Sequence, residues 1–166
     1  AASDVYKRQV FLPQLLMSAE AAKTAFAVLK EKMDSSGEVQ EKKGKIILAT
    51  VKGDIHDIGK NIVKVLLENY SFDVIDLGKD VPPETIVDTV LEQDIHLVGL
   101  SALMTTTVVS MEETIRQLRE KAPHCLVMVG GAVLNQDYAD MIGADFYGKD
   151  AMQSVHYAQR VFGTEE

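Results

Sequence analysis

The sequence predicts an α/β protein in which five parallel strands are doubly wound by helices, with a helical segment in front. Three observations carry this expectation. Short apolar runs, such as Ile46 to Thr50 and Leu97 to Ser101, alternate with stretches of helical spacing. The runs are apolar at nearly every position, as strands covered on both faces require. The chain has 166 residues, 46% of them hydrophobic, which suits one principal core with at most a small appendage.

The elements follow in order. Residues 1–9, AASDVYKRQ, have no periodicity and join abruptly to the apolar VFLPQLL. They look like the in-frame translation of a transposase sequencing adaptor. They are therefore expected to be an assembly artefact without fold information, the natural chain beginning earlier. Val10 to Met33 reads as helical, because Ala22, Phe26, Leu29 and Met33 recur at helical spacing. Pro13 suits a first turn or a bend. The polar DSSGEVQEKKG reads as a linker from Asp34 to Gly44. Residues 10–43 thus form the helical segment and linker, and residues 44–166 the main domain.

The main domain opens with the buried strand Ile46 to Thr50. Gly59 to Asn69 is a helix with Ile62, Val63, Leu66 and Leu67 on one face. Asp73 to Leu77 is a short strand. Pro83 to Gln93 is a helix, with two prolines at its start where missing N–H groups cost little. Leu97 to Ser101 is a strand, and Val108 to Lys121 a helix with Met111, Ile115 and Leu118 in register. Leu126 to Val129 is a strand closed by Gly130 and Gly131. Tyr138 to Ile142 is a short helix, Phe146 and Tyr147 a last short strand, and Ala151 to Phe162 the closing helix. Strands and helices alternating at this spacing give a flavodoxin-like, doubly wound sheet. In such sheets ligands bind outside the carboxyl ends of the strands.

Composition removes some classes of function. A net charge of -8 argues against nucleic acid as a partner, since phosphate binding needs a basic face. No apolar stretch is long enough to span a membrane, and no secretory pattern is present. The one cysteine, Cys125, cannot form an internal disulfide, so a reducing, cytoplasmic setting is expected.

The carboxyl-end rule ranks the chemistry-bearing residues. Of the four histidines, His96 and His124 sit just before strands, and His156 lies inside the last helix. Only His56 follows a strand's carboxyl end. Asp54 precedes it by two residues, which in extended backbone places both side chains on one face. A carboxylate beside an imidazole can accept one ring proton, fix the tautomer and raise the basicity of the other nitrogen. Gly53 and Gly59 flank the pair and permit close backbone approach to something bulky. After the third strand come Ser101, Thr105, Thr106 and Thr107, more hydroxyls than one helix cap uses. Gly130 and Gly131 after the fourth strand offer a groove of small residues. No Gly-rich phosphate-binding spacing is present, and Cys125 reads as core.

GDIHDIGKN at Gly53 to Asn61 resembles the Asp-x-His-x-x-Gly signature of cobalamin-binding domains. SALMTTT resembles their Ser-x-Leu element, with Ser101 and Leu103, and VGGA at Val129 to Ala132 their Gly-Gly element. VFLPQLLMSAEA resembles the helical cap that precedes such domains. The resemblance runs from Val10 nearly to the end of the chain. It implies a cobalamin cofactor (methylcobalamin when charged) whose cobalt takes His56 as its lower ligand. Asp54 would hydrogen-bond His56, and Thr107, where the family usually has serine, would complete a proton relay. Gly53, Ile55, Asp57, Gly59 and Leu103 would line the cofactor. Its displaced nucleotide tail would run near Ser101, Thr105, Gly130, Gly131 and Ala151. Leu12 falls where the cap covers the methyl-bearing face, and its usual aromatic partner would fall within residues 1–9, so the cap is expected to be partial.

Within this family the sequence resembles most the cobalamin-binding module of methionine synthase. Such a module carries a methyl group from methyltetrahydrofolate to homocysteine, serves methionine biosynthesis and is inactive without the homocysteine and methyltetrahydrofolate modules as partners. Two alternatives share its motifs. One is a stand-alone corrinoid protein of a methanol or methylamine methyltransferase system, and the other is the cobalamin domain of a mutase. A flavodoxin-like signalling or structural domain is the reading without a cofactor.

Overall fold

A computed structural model describes residues 20–25, 27–28, 31 and 42–164. The chain divides into two units, Ala1–Glu41 and Lys42–Glu166. In the first, the described residues 20–25, 27–28 and 31 are helical. The expectations for residues 1–9, Leu12, Pro13 and most of the linker from Asp34 lie outside the described residues.

The second unit alternates strand and helix throughout. Its elements are β1 (Lys45–Val51), α1 (Ile58–Asn69), β2 (Asp73–Val81), α2 (Pro83–Gln93), β3 (Leu97–Ser101), α3 (Thr105–Lys121), β4 (Leu126–Gly130), α4 (Gln136–Met141), β5 (Phe146–Tyr147) and α5 (Ala151–Val161). The five strands form one sheet in the order β2-β1-β3-β4-β5. Every pairing is parallel. This is the flavodoxin-like order, and its winding reverses between β1 and β3. The carboxyl ends of β1 and β3 therefore open onto one crevice.

Each strand feeds two cores, because successive side chains point to opposite faces. On one face Ile47, Ala49 and Val51 of β1 join Val98, Leu100 and Val127, with Ile86, Val90, Met111, Ile115 and Leu118 from α2 and α3 above them. On the other, Ile46, Leu48, Leu97 and Met128 meet Leu67 of α1, Phe72, and Val155 and Ala158 of α5. Phe72 is fully buried and tilts against Phe162, with ring centroids 5.7 Å apart. Burial on both faces explains why the strands read as continuous apolar runs.

Two elements differ from the sequence expectation by three residues or more. Helix α3 starts at Thr105, three residues earlier than the apolar register of Val108 suggests. Its first turn holds the β-branched, hydroxyl-bearing Thr105, Thr106 and Thr107, which by composition read as loop. Strand β2 continues four residues past Leu77 to Val81. Its pairing with β1 shifts register beyond Leu48, and Gly78 takes a φ of 92° there, so the strand bends just past Leu77, where the apolar run stops. Among the described residues no helix is long and apolar enough to cross a membrane.

Candidate functional site

The loop between β1 and α1 begins with a tight turn. Gly53 has a φ of 86°, a region that favours glycine, and Asp54 N–H donates to the Val51 carbonyl at 3.0 Å. The turn drives the Asp54 side chain into the crevice between β1 and β3, where it is fully buried.

There its two oxygens divide the work. Oδ1 accepts from the His56 backbone N–H at 3.0 Å and lies 2.8 Å from His56 Nδ1. Oδ2 accepts from the Leu103 N–H at 2.7 Å and, more weakly, from Met104 N–H at 3.4 Å. Thr107 Oγ1 is 2.7 Å from the same oxygen and 2.8 Å from the Met104 carbonyl. A hydroxyl has one proton, so Thr107 serves one of these acceptors at a time, and the charged one makes the stronger bond. Burial alone would raise the Asp54 carboxyl. The donors from Leu103, His56 and Thr107 outweigh it and hold the group far below the usual carboxylate range. Asp54 is an anion inside the protein.

That anion defines the state of His56. The 2.8 Å contact places the ring proton on Nδ1, which leaves the lone pair of the neutral imidazole on Nε2. The His56 side chain keeps 46% of its surface exposed, and Nε2 is the ring nitrogen that the Asp54 contact leaves free for a ligand. Ile55, Ile58, Leu103 and Met104 are also exposed. Two flank His56 in sequence, and the other two belong to the backbone stretch that Asp54 holds. An apolar rim around an exposed imidazole suits a large, flat ligand whose centre binds nitrogen.

A second region extends along the α1 and α5 face of the sheet. Thr50 continues the row of Ile46 and Leu48, and the register places it beside Ser101, which pairs in turn with Gly130. Thr50 is fully buried, and its Oγ1 has no hydrogen-bond partner among the described residues. An orphaned buried hydroxyl is costly unless a ligand satisfies it. Ser101 and Ala151 are half-buried nearby in the same ring of strand ends and helix starts.

The remaining candidates divide. Thr105 is exposed in the first turn of α3, and Asp57 is the residue before α1, with no side-chain capping bond. A side chain at Gly59 would meet nothing within 4 Å, so the chain leaves open space there. Gly131 is required by the chain itself. Its φ is 140°, and a Cβ there would lie 1.8 Å from the Ala102 carbonyl oxygen. The expected surplus of capping hydroxyls is spent differently too, since no side chain caps α3 at Met104. His96 and His124 stand at the other end of the sheet, with Nε2 atoms 3.7 and 3.6 Å from Asp94. Cys125 is buried, and burial pushes its thiol up to about 12. A shallow groove along Arg116, Arg119 and Met141 lies toward that same end, where Arg119 bonds the Cys125 carbonyl.

Sequence reasoning missed Thr50, Asp76 and Asp80. Thr50 had a signal, a polar residue closing an apolar run. Asp76 lies 2.6 Å from the buried Lys60 Nζ. Asp80 accepts from Gly53 N–H at 2.7 Å. Neither pairing has a local pattern, because each joins segments distant in the chain.

A family model described as B12 binding domain matches residues 44–156. A corrinoid protein of Desulfitobacterium hafniense strain Y51 is 42% identical over 158 residues, covering 93% of this chain and 73% of the relative. Trimethylamine corrinoid protein 1 of Methanosarcina acetivorans is 42% identical over 154 residues, covering 92% and 71%. The methanol:cobalamin methyltransferase complex of Methanosarcina barkeri includes a chain that superposes with a TM-score of 0.75 at 33% identity, covering 93% of this chain and 58% of that one.

Proposed function

The chain belongs to the family of B12-binding domains, and from that premise we propose that it is the corrinoid methyl carrier of a methylamine or methanol methyltransferase system. Relatives named for trimethylamine and dimethylamine support this reading over the methionine synthase module that the motifs alone suggest. The likeness to a chain of a methanol:cobalamin methyltransferase complex supports a separate methyltransferase as partner, in place of homocysteine and folate modules. The carrier does not activate substrate; its partners do.

The residues present fit the cofactor. Nε2 of the half-exposed His56 is the ring nitrogen left for a ligand, and the buried Thr50 hydroxyl beside Ser101, unpaired among the described residues, would gain a partner from a polar tail. Bound cobalamin supplies a cobalt centre that accepts and releases a methyl group. His56 would hold that centre through Nε2. Asp54 keeps the ring in one tautomer and, through its charge, makes Nε2 a stronger donor. Thr107 steadies Asp54 by donating its hydroxyl proton in a hydrogen bond to Oδ2. Ile55 and Leu103 would underlie the macrocycle, while Thr50, Ser101, Thr105, Gly130 and Ala151 would flank the tail.

The Asp54–His56 contact, buried at one end and exposed at the other, carries this reading. Its test has two parts. Protein mixed with methylcobalamin and passed through gel filtration should retain the corrinoid, with an absorption spectrum in which the cofactor's own lower base is displaced. The reduced, loaded protein should then be methylated from a methylated amine or methanol by a matching methyltransferase. Methylation from methyltetrahydrofolate alone would restore the methionine synthase reading, and a cofactor whose own base stays on the metal in the cobalt(II) form, read by electron paramagnetic resonance, would remove His56 as ligand.

A further inference from the structure

The loop that carries His56 is fastened to β2, and the principal fastening is Asp80. This residue stands one position before the end of β2 with a φ of 53°. That left-handed backbone is unfavourable for most side chains, although aspartate tolerates it better than most. From it Asp80 reaches the loop twice. Its Oδ1 accepts from Gly53 N–H at 2.7 Å. Its own N–H donates to the Asp54 carbonyl at 2.9 Å. The two bonds grip the N–H of Gly53, one residue before Asp54, and the carbonyl of Asp54 itself. With the Asp54 N–H held by the Val51 carbonyl, these bonds fix from β2 the direction in which the Asp54 side chain leaves the backbone.

We propose that Asp80 is a positioning residue for His56. By holding the Gly53 turn, it aims the Asp54 carboxylate at both His56 Nδ1 and the Leu103–Thr107 segment, so that the imidazole is presented in one orientation. Without the clasp, the turn at Gly53 samples other conformations, because glycine restrains it little. Asp54 then meets its five donors only part of the time. The proposal rests on the reading of His56 as the cobalt ligand.

Three variants separate positioning from mere strand termination. Asp80→Asn keeps both an acceptor oxygen and a tolerance for left-handed backbone. Asp80→Gly keeps the backbone and removes the acceptor. Asp80→Ala removes the acceptor and adds strain, and it is read the same way should the glycine variant fail to fold. In the protein without cofactor, hydrogen exchange of the Gly53 amide should be slow in wild type and Asp80→Asn and fast in Asp80→Gly. With methylcobalamin at saturation, the ratio of histidine-ligated to total bound corrinoid, read by absorption, should fall in Asp80→Gly by about tenfold, the lower end for outer partners of metal ligands. Asp80→Asn should restore most of it. A wild-type ratio in Asp80→Gly, with the Gly53 amide exchanging fast, overturns the positioning role alone. A wild-type protein that shows no histidine-ligated form overturns the reading of His56, and this proposal with it.

Discussion

Thr107 Oγ1 and Asp54 Oδ2 meet at 2.7 Å across the point where the sheet's winding reverses. One residue follows β1 and the other lies in the first turn of α3, after β3. Their bond, with that of the Leu103 N–H to the same oxygen, ties the histidine loop to the next strand–helix junction. The tie has energetic consequences that can be measured without any cofactor.

Replacing Thr107 with valine keeps the shape and removes the proton. Asp54 then loses a donor while remaining buried. We expect a loss of about 1.5–3 kcal/mol in unfolding free energy by urea titration, the range for hydrogen bonds to charged groups. Thr107→Ser keeps the hydroxyl and should cost less than about 1 kcal/mol, since only a methyl is lost from a buried site. Equal costs for the two variants would show that the bond contributes nothing.

Acid should destabilise the protein through two buried-edge carboxylates. Asp54 and Asp76 are both held below their ordinary value of 3.8, against burial that would raise them. For Asp76 the opposing causes are the bond from Lys60, the Gly78 N–H and the charges of Lys60 and Lys64. A carboxyl with a lowered folded pKa binds its proton more readily in the unfolded chain. Its contribution is therefore complete above about pH 5 and disappears as pH falls through and below 3.8. Stability measured from pH 7 to pH 2.5 should stay level and then drop. A rise toward low pH would contradict the assignment.

The Lys60–Asp76 pair should respond unequally to its two truncations. The Lys60 side chain is 2% exposed and that of Asp76 19%. Asp76→Ala strands a buried ammonium and should cost about 3–5 kcal/mol. Lys60→Met leaves a carboxylate that water and Lys64, 3.5 Å away, still reach, and should cost clearly less. Thermal melts of the two variants at one pH compare them directly; equal losses would show that the lysine's burial does not govern the pair.

Thr50→Val should act in opposite directions on folding and binding. The hydroxyl it removes is buried and unsatisfied, so the protein without cofactor should be unchanged or more stable, by up to about 1 kcal/mol. Corrinoid affinity should fall if the cofactor's tail satisfies that oxygen. Titration calorimetry beside urea unfolding separates the two, and unchanged affinity would remove Thr50 from the tail site.

The architecture was legible because burial on both faces writes strands as apolar runs, and the boundaries of β3, α2 and β5 follow directly from such runs and their punctuation. The Asp54–His56 pair was legible for a local reason: two residues apart in extended backbone, they share a face. What lay beyond reading was tertiary. The early start of α3 depends on Thr107 bonding across to Asp54. The extension of β2 depends on pairing to β1 past a register shift. Asp80 grips Gly53 from 27 residues away, and no periodicity marks it.

The central claim, that His56 Nε2 is the nitrogen bound to cobalt, is tested most directly by electron paramagnetic resonance of the cobalt(II) form with nitrogen-15 in histidine only. A nitrogen-14 ligand splits each cobalt line into three, and a nitrogen-15 ligand into two. The account predicts triplets in unlabelled protein, doublets in histidine-labelled protein, and loss of the labelled pattern in His56→Gly. Triplets that persist after labelling would mean that the cofactor's own base stays on the metal, and would contradict the account.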